Sequence, residues 1–528
     1  MRLAGLVVAV CLALSWSLVF AAEAPQSGGT LVYAIGVSPD RLDPNLTPLR
    51  PSQIVYFQIF DTLIIRDKAD KKFKPYLATS WEISADGRTY TFKLRSGVKF
   101  HDGTPFDAAA VKFNFDRTHD PKLATRIGDV ALGFFESADV VDPLTVRIRL
   151  KQPWAPFLDA SSLYYRMVSP AAVRRYGDQD FGLHPVGTGP FKFVEWVPND
   201  RIVLTRNEDY NWAPPTATHT GRAYLQRIIF RLVPEAATRV ALLESGEAQV
   251  IDTAPPQDLE RLTRDPRFKA LVGLAPGRPF SFPMNVTTGP TADLAVRKAL
   301  NYGINRPSIT RIVYGPFQKY GAFLPAYGDL TPYTWGYDKN TELYHYDPAK
   351  AKALLEEAGW KPGPDGIREK GGQRLTIPLG SWESGVPEVM QEQLKQIGVE
   401  LKVIIATPLV VNENQRKFVT LLSPLPAART DPNTVSRLHS RLVGGGGFNF
   451  AFVKNPELDR LLDAQASEVN EGKRLELLSR VQKLIMQQAY MLPVYNYDNM
   501  SIKAATVRDL EFNELGFFPV LYNAWIGK

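Results

Sequence analysis

From Thr89 to Arg95 apolar and polar positions alternate, with Tyr90, Phe92 and Leu94 set against Thr89, Thr91, Lys93 and Arg95. A period of two predicts a strand with one buried face and one wetted face. Residues 81–84 predict its hairpin partner, and Asp86-Gly87 between them supplies the positive φ angles of a tight turn. Asp107 predicts the cap of a following helix that carries Ala108, Val111 and Phe115 on one side.

Farther along, the period lengthens. Residues 347–359 predict a helix with Asp347 as cap, Pro348 in its first turn, and a stripe of Ala351, Leu354, Leu355 and Ala358. Gly359 ends it in the left-handed conformation. A strand at 375–379, a helix at 388–397 and a strand at 399–405 then form a unit that implies a parallel sheet. That helix turns Met390, Leu394 and Ile397 inward, and Gly398 stops it. A last long helix, about 473–488, points Leu477, Val481, Leu484 and Ile485 inward. Strands and helices are intermingled throughout, which is the α/β class. Proline and glycine gather at Pro255-Pro256, at 275–279, at 362–364 and at 444–447. Pro276-Gly277 and residues 493–496 read as the two connections between lobes, and no solenoid-type repeat is visible.

Composition changes the picture at the N-terminus. The chain has 528 residues, 45% apolar and 22% charged, which fits about three packed units at ~150 residues each and excludes wholesale disorder. Arg2 precedes an apolar run over 3–14, then Ser15, Ser17 and Val19-Phe20-Ala21-Ala22. This layout predicts a secretory signal peptide, residues 1–21, cleaved after Ala21. The rivals are an uncleaved anchor, since 3–22 reaches ~30 Å as a helix, and a lipid anchor on Cys11, which Val10 disfavours. Cys11 is the single cysteine, so its removal excludes disulfides, cysteine nucleophiles and thiolate metal sites. Of 62 basic residues only Arg2 leaves with the leader, and the remaining 61 face 55 acidic ones. That small surplus, without Lys/Arg clusters among aromatics, predicts no nucleic-acid partner.

Catalytic motifs are sparse. Six histidines stand singly, and His101-Asp102 in a Gly-rich turn reads as structural. Ser96-Gly97-Val98-Lys99 matches a Ser-x-x-Lys pattern but falls in a turn after a strand, where that chemistry would need a helix start. The glycines at 444–447 lack the Lys-Ser/Thr of a phosphate loop and predict a plain loop. A carboxylate pair meeting in space stays open, and with it a secreted hydrolase. Aromatics flanked by polar residues, as in Tyr164-Tyr165-Arg166, Ser381-Trp382-Glu383 and Tyr495-Asn496-Tyr497, suit an amphipathic cleft for a small ligand.

Several stretches together resemble family 5 solute-binding proteins, the extracytoplasmic receptors of dipeptide, oligopeptide and nickel ABC importers. They are residues 75–82, Asp86-Gly87 with 90–95, and the run 97–106 that reads Gly-Val-Lys-Phe-His-Asp-Gly-Thr-Pro-Phe. Residues 187–191, Arg206-Asn207, Tyr210-Asn211-Trp212, 245–247, Asp293 with 296–300, and the 347–359 helix extend the likeness. The resemblance implies a two-lobed periplasmic-binding-protein-like fold (type II, cluster C) with a subdomain inserted in the first lobe. It places the first lobe at about 25–276, the insertion at about 61–185, the second lobe at 277–496, and a C-terminal return to the first lobe at 497–528. It also implies a monomeric periplasmic receptor without cofactor or metal, which hands a small solute to ABC permease subunits with cytoplasmic ATPases. The expected ligand-binding residues are Ser38, Tyr165, Arg166, Trp382, Arg429, Asp431, Tyr495 and Asn496. One departure stands out. Asp431-Pro432 matches the family's Asp/Glu-Pro pair, but Ala428 falls where peptide-binding members carry a carboxylate for the ligand's amino group. Arg429 instead offers a planar cation suited to carboxylate or phosphate. Family members also serve opines, glutathione and sugars, so the ligand stays open. The rival functions are the hydrolase and a chemoreceptor adaptor or chaperone on the same fold.

Overall fold

Strand Thr30–Ile35 is almost continuously apolar, with Leu31, Tyr33, Ala34 and Ile35 buried, as expected of a strand covered on both faces. It runs parallel to Arg227–Leu232 on one side and Val250–Ile251 on the other. The computed structural model describes residues 23–123, 134–253, 255–444 and 447–528. The expected signal segment with Cys11 lies outside these residues, as do Gly445 and Gly446 of the glycine run.

Seven strands make the first sheet, in the order Phe268–Gly273, Asn499–Ala504, Val250–Ile251, Thr30–Ile35, Arg227–Leu232, Arg201–Arg206 and Phe191–Val197. The chain leaves this sheet after Phe268–Gly273 and comes back as its antiparallel neighbour Asn499–Ala504. Between those strands lies a second lobe with its own core around Phe282, Leu300, Leu379 and Ile485. There Thr376–Ser381 pairs in parallel with Glu400–Ile405, and bridges through Leu422 and Met284 lead to the pair Phe280–Pro283 and Met491–Tyr495. Inserted between Thr30–Ile35 and Phe191–Val197 is a four-stranded antiparallel sheet, ordered Ala78–Ile83, Thr89–Leu94, Thr145–Leu150 and Phe135–Asp142. The helices Ala108–Thr118 and Phe157–Leu163 follow strands of this sheet.

Local expectations meet the structure with instructive shifts. In the hairpin only Gly87 takes a positive φ, at 67°. The Asp86 carboxylate accepts the Ser84 hydroxyl at 2.5 Å and the Arg88 N–H at 3.0 Å, closing a wider loop than a two-residue turn. The helix Pro348–Glu357 is capped by Asp347, which accepts the Lys350 N–H at 2.9 Å. The helix after Thr376–Ser381 spans Val386–Lys395, starting two residues earlier than its pattern suggests, because Glu388 folds back to accept the Gly385 N–H at 2.5 Å. The last helix, Glu471–Gln487, buries Leu478, Val481, Ile485 and Met486, while Leu477 and Leu484 are only half-buried. Its inward face is rotated because Arg474 and Gln482 also point inward, toward Asp431 and the Gly336 carbonyl. Ser96 lies in a turn, and His101 Nε2 lies 2.9 Å from the Gly189 carbonyl, both structural settings.

Candidate functional site

A cavity of about 110 Å³ separates the inserted subdomain from the second lobe. Asp159 and Tyr164 face it from the subdomain, Arg429, Asp431 and Thr434 from the second lobe. Its two buried carboxylates already have cations. Asp159 pairs with Arg66 at 3.1 Å and accepts the Thr430 hydroxyl across the gap. Asp431 takes two bonds from Arg474, at 2.6 and 2.8 Å, and caps the turn at Pro432–Leu438 through the Asn433 N–H. Burial, reinforced by the charge of Asp431, still holds the Asp159 carboxyl above its ordinary range.

Arg429 is different. Its guanidinium donates to the Ala428 carbonyl at 2.8 Å and lies 5.2 Å from the Tyr164 ring, with no carboxylate at ion-pair distance among the described residues. The hydroxyls of Tyr164 and Thr434 are buried without a hydrogen-bond partner. Buried polar atoms are rarely left so in a native protein. An unanswered cation and two unanswered hydroxyls therefore line one cavity. Their base is rigid: Gly277–Arg278 pairs antiparallel with Ala427–Ala428, and the Arg429 N–H donates to the Pro276 carbonyl at 2.9 Å.

A second group of predicted residues sits in an aromatic cluster of the second lobe. Tyr495 is fully buried and stacks on Phe280 with ring centroids 4.8 Å apart, and Trp382 packs edge-on against the same ring at 5.9 Å. The Tyr495 hydroxyl donates to Glu383 at 2.5 Å, and the Tyr314 hydroxyl to the same oxygen at 3.0 Å. The remaining predicted residues lie apart from both groups. Ser38 is half-buried after the first strand and donates only to the Pro39 carbonyl. Tyr165 belongs to the subdomain core, stacked on Phe115 at 4.3 Å with its hydroxyl 3.1 Å from His119. Arg166 lies over the Phe57 ring and donates to the Phe60 carbonyl. Asn496 is buried at the chain crossing, where its N–H donates to Leu324. Sequence reasoning passed over Tyr164, Thr434 and Glu383. The first and last were in quoted aromatic triplets, next to residues chosen instead.

Asp498 ties the two crossings together. Its carboxylate accepts the Ala275 N–H at 2.9 Å and the Phe323 N–H at 2.8 Å, and burial pushes its pKa up to about 7. An unfolded carboxyl titrates near ~4. Between those values the folded chain keeps a proton that the unfolded chain has released, so this stabilisation is complete below ~4 and is lost as pH rises through about 7. Each unit of such a shift corresponds to ~1.4 kcal/mol. The stability advantage of the wild type over Asp498→Asn is therefore expected to shrink between pH 4.5 and 7.5 in urea unfolding. An advantage that stays constant with pH contradicts this.

Among the described residues no group of His, Cys, Asp and Glu side chains gathers as a metal site, and no helix is long and apolar enough to cross a membrane. The family model for bacterial extracellular solute-binding proteins, family 5 Middle, matches residues 72–440. The glutathione-binding protein GsiB of Escherichia coli (strain K12) is 32% identical over 517 residues, covering 93% of this chain and 92% of that protein. NikA from Brucella suis, solved in complex with Fe(III)-EDTA, superposes with a TM-score of 0.84 at 28% identity, over 94% of this chain and all of that one. DppA from Helicobacter pylori, in complex with the peptide STSA, superposes at 0.78 with 25% identity, over 95% and 99% of the two chains. Receptors of this kind carry small solutes to ABC permeases in the membrane, and the two-lobed frame with its inserted subdomain is the one they share. The chain belongs to family 5 of the bacterial extracellular solute-binding proteins.

Proposed function

We propose that this ABC-importer receptor captures a small solute bearing a carboxylate, held by Arg429 in the cavity between the inserted subdomain and the second lobe. The observation that carries the reading is the charge balance there. Asp159 and Asp431 are neutralised by Arg66 and Arg474, while Arg429 keeps no carboxylate of its own among the described residues. Tyr164 and Thr434 supply hydroxyls beside it. Glutathione, a peptide and EDTA, the ligands named for the similar proteins, all carry carboxylates.

Closure makes the affinity. The Ala155 N–H donates to the Ala466 carbonyl at 2.7 Å, and Lys71 donates to the Tyr333 carbonyl at 3.0 Å, joining the subdomain region to the second lobe around the cavity. A solute that touches both sides shifts the equilibrium toward this closed form. On this reading the solute leaves unaltered, and within this cavity the carboxylates of Asp159 and Asp431 are both held in ion pairs.

A charge-assisted bond is worth ~1.5–3 kcal/mol, so Arg429→Ala is expected to weaken binding about 10- to 100-fold. Titration calorimetry with glutathione, a tetrapeptide and Fe(III)-EDTA reads this directly, and mass spectrometry should recover the solute intact. An unchanged affinity places the site elsewhere. Export with cleavage after Ala21 completes the reading, and N-terminal sequencing of the exported protein should begin at Ala22.

A further inference from the structure

A second cavity, of about 270 Å³, also lies between the inserted subdomain and the second lobe, and none of its lining residues lines the Arg429 cavity. Residues 429–431 separate the two. Arg429 and Asp431 face the smaller cavity, and Thr430 between them faces the larger. Successive side chains of an extended segment point to opposite sides. The backbone is extended at both ends of this one, in the strand pair of Ala427–Ala428 and at Asp431, where φ is −89° and ψ 134°. The segment is thus a wall with a compartment on each face. The subdomain completes it. Asp159, which faces the smaller cavity, accepts the Thr430 hydroxyl, and Arg66, which faces the larger, pairs with the same carboxylate oxygen at 3.1 Å. Thr430 and Asp159 are both buried, so their hydrogen bond is made without competing water.

We propose that the contact between Thr430 and Asp159 sets the length of solute that the closed receptor accepts. The inference rests on the carboxylate reading above and adds the limit at the solute's other end. A cavity for a drug-sized molecule is ~300–1,000 Å³. The Arg429 cavity, at about 110 Å³, holds only a short solute, and a longer one must continue into the second compartment. That compartment has polar and aromatic walls to receive it, with Arg66 and Glu514 from the first lobe and Tyr333 and Trp335 from the second. The passage lies where Thr430 meets Asp159. A short solute leaves their hydrogen bond in place, whereas a longer one has to break it before the lobes can close. The buried Asp159 carboxylate then keeps Arg66 alone among the described residues. Losing a hydrogen bond to a buried charged group penalises the longer solute about tenfold.

The test titrates the whole mature receptor with the peptides Ser-Ala, Ser-Thr-Ser-Ala and Ser-Thr-Ser-Ala-Ser-Ala, which share both end residues and differ in length. The wild type is expected to bind the shortest about tenfold more tightly than the longest. Thr430→Val, which keeps the bulk and loses the hydroxyl, should remove most of that preference, and Thr430→Ser, which retains the hydroxyl, should keep it. Thr430→Ala, smaller and also without the hydroxyl, gives the same reading if the valine variant does not fold. A merely structural role for Thr430 would weaken all three peptides alike. A wild type that favours the longest peptide, a preference that survives the loss of the hydroxyl, or failure of all three peptides to bind overturns the length limit. Arg429→Ala should weaken the three peptides equally. If it has no effect while the preference still depends on the Thr430 hydroxyl, the carboxylate reading fails and the length limit stands.

Discussion

Asp329→Ala is expected to lower the unfolding free energy by about 3–5 kcal/mol, the usual loss when one partner of a buried ion pair is removed. Arg278 and Asp329 side chains are both 0% exposed and meet through two bonds, Nε to Oδ1 at 2.9 Å and Nη2 to Oδ2 at 3.0 Å. Alanine would strand the guanidinium in the interior, where its third nitrogen, Nη1, already lacks a partner. The magnitude depends on burial rather than on charge alone. Arg264 and Glu260 form a closer pair, at 2.5 Å, whose side chains are 77% and 58% exposed. Such surface pairs contribute ~0–1 kcal/mol, so Glu260→Ala is the control and should change little. Urea unfolding of the two variants gives the comparison. A loss below ~1 kcal/mol for Asp329→Ala would mean that water reaches Arg278. The site feels the same substitution, because Arg278 is aligned with Ala427 in the strand pair that leads to Arg429.

What could be read from the sequence was what local spacing determines. Asp347, Pro348 and Gly359 mark their helix because cap, first turn and left-handed stop act within a few residues of one another. The parallel pair Thr376–Ser381 and Glu400–Ile405 was visible for the same reason. Positions near the ends of elements were less secure. The last helix shows why: Arg474 and Gln482 look like surface residues until their distant partners, Asp431 and Gly336, are in view. Arg429 and the aromatic triplets are visible in the sequence as candidates, but the pairings around them are not. Tyr314, Glu383 and Tyr495 come together over sequence separations of 69 and 112 residues, and Asp159 meets Thr430 across 271. No periodicity links residues so far apart. Hence local pattern does not separate Tyr165, stacked in the subdomain core, from its neighbour Tyr164, whose buried hydroxyl has no hydrogen-bond partner.

Arginine accounting sets Arg429 apart from the buried cations. Buried guanidinium groups elsewhere are answered by carboxylates, as in Arg117 with Asp43, or by carbonyls, as in Arg306 with Pro493, Asn301 and Tyr344. These are permanent internal contacts that hold the lobes in shape. Arg429 has the carbonyl of its own neighbour, Ala428, and no carboxylate at ion-pair distance among the described residues. A receptor needs such residues, since its affinity comes from contacts that exist only when the solute is present.

Gly277→Ala is expected to destabilise the protein by about 2–6 kcal/mol and to weaken solute binding in the molecules that fold. Two costs coincide at this position. Its φ of +111° is one that a side chain rarely tolerates, a strain of ~1–3 kcal/mol. A Cβ built there would also lie 2.0 Å from the Ala427 carbonyl oxygen and 2.6 Å from the Arg429 N. Both are backbone atoms, so no side chain can swing aside, and overpacking of this kind adds ~1–3 kcal/mol. Relief requires the 427–428 strand to move away from Gly277–Arg278, and Arg429 moves with it. Gly246 separates the two costs. Its φ is +80° and nothing lies within 4 Å of a Cβ there, so Gly246→Ala should incur the conformational strain alone. Thermal unfolding of both variants, with calorimetric titration below the transition, distinguishes the outcomes. Equal losses for the two glycines would show that the strands yield easily, and unaltered affinity in Gly277→Ala would show that Arg429 does not depend on this pairing for its place in the cavity.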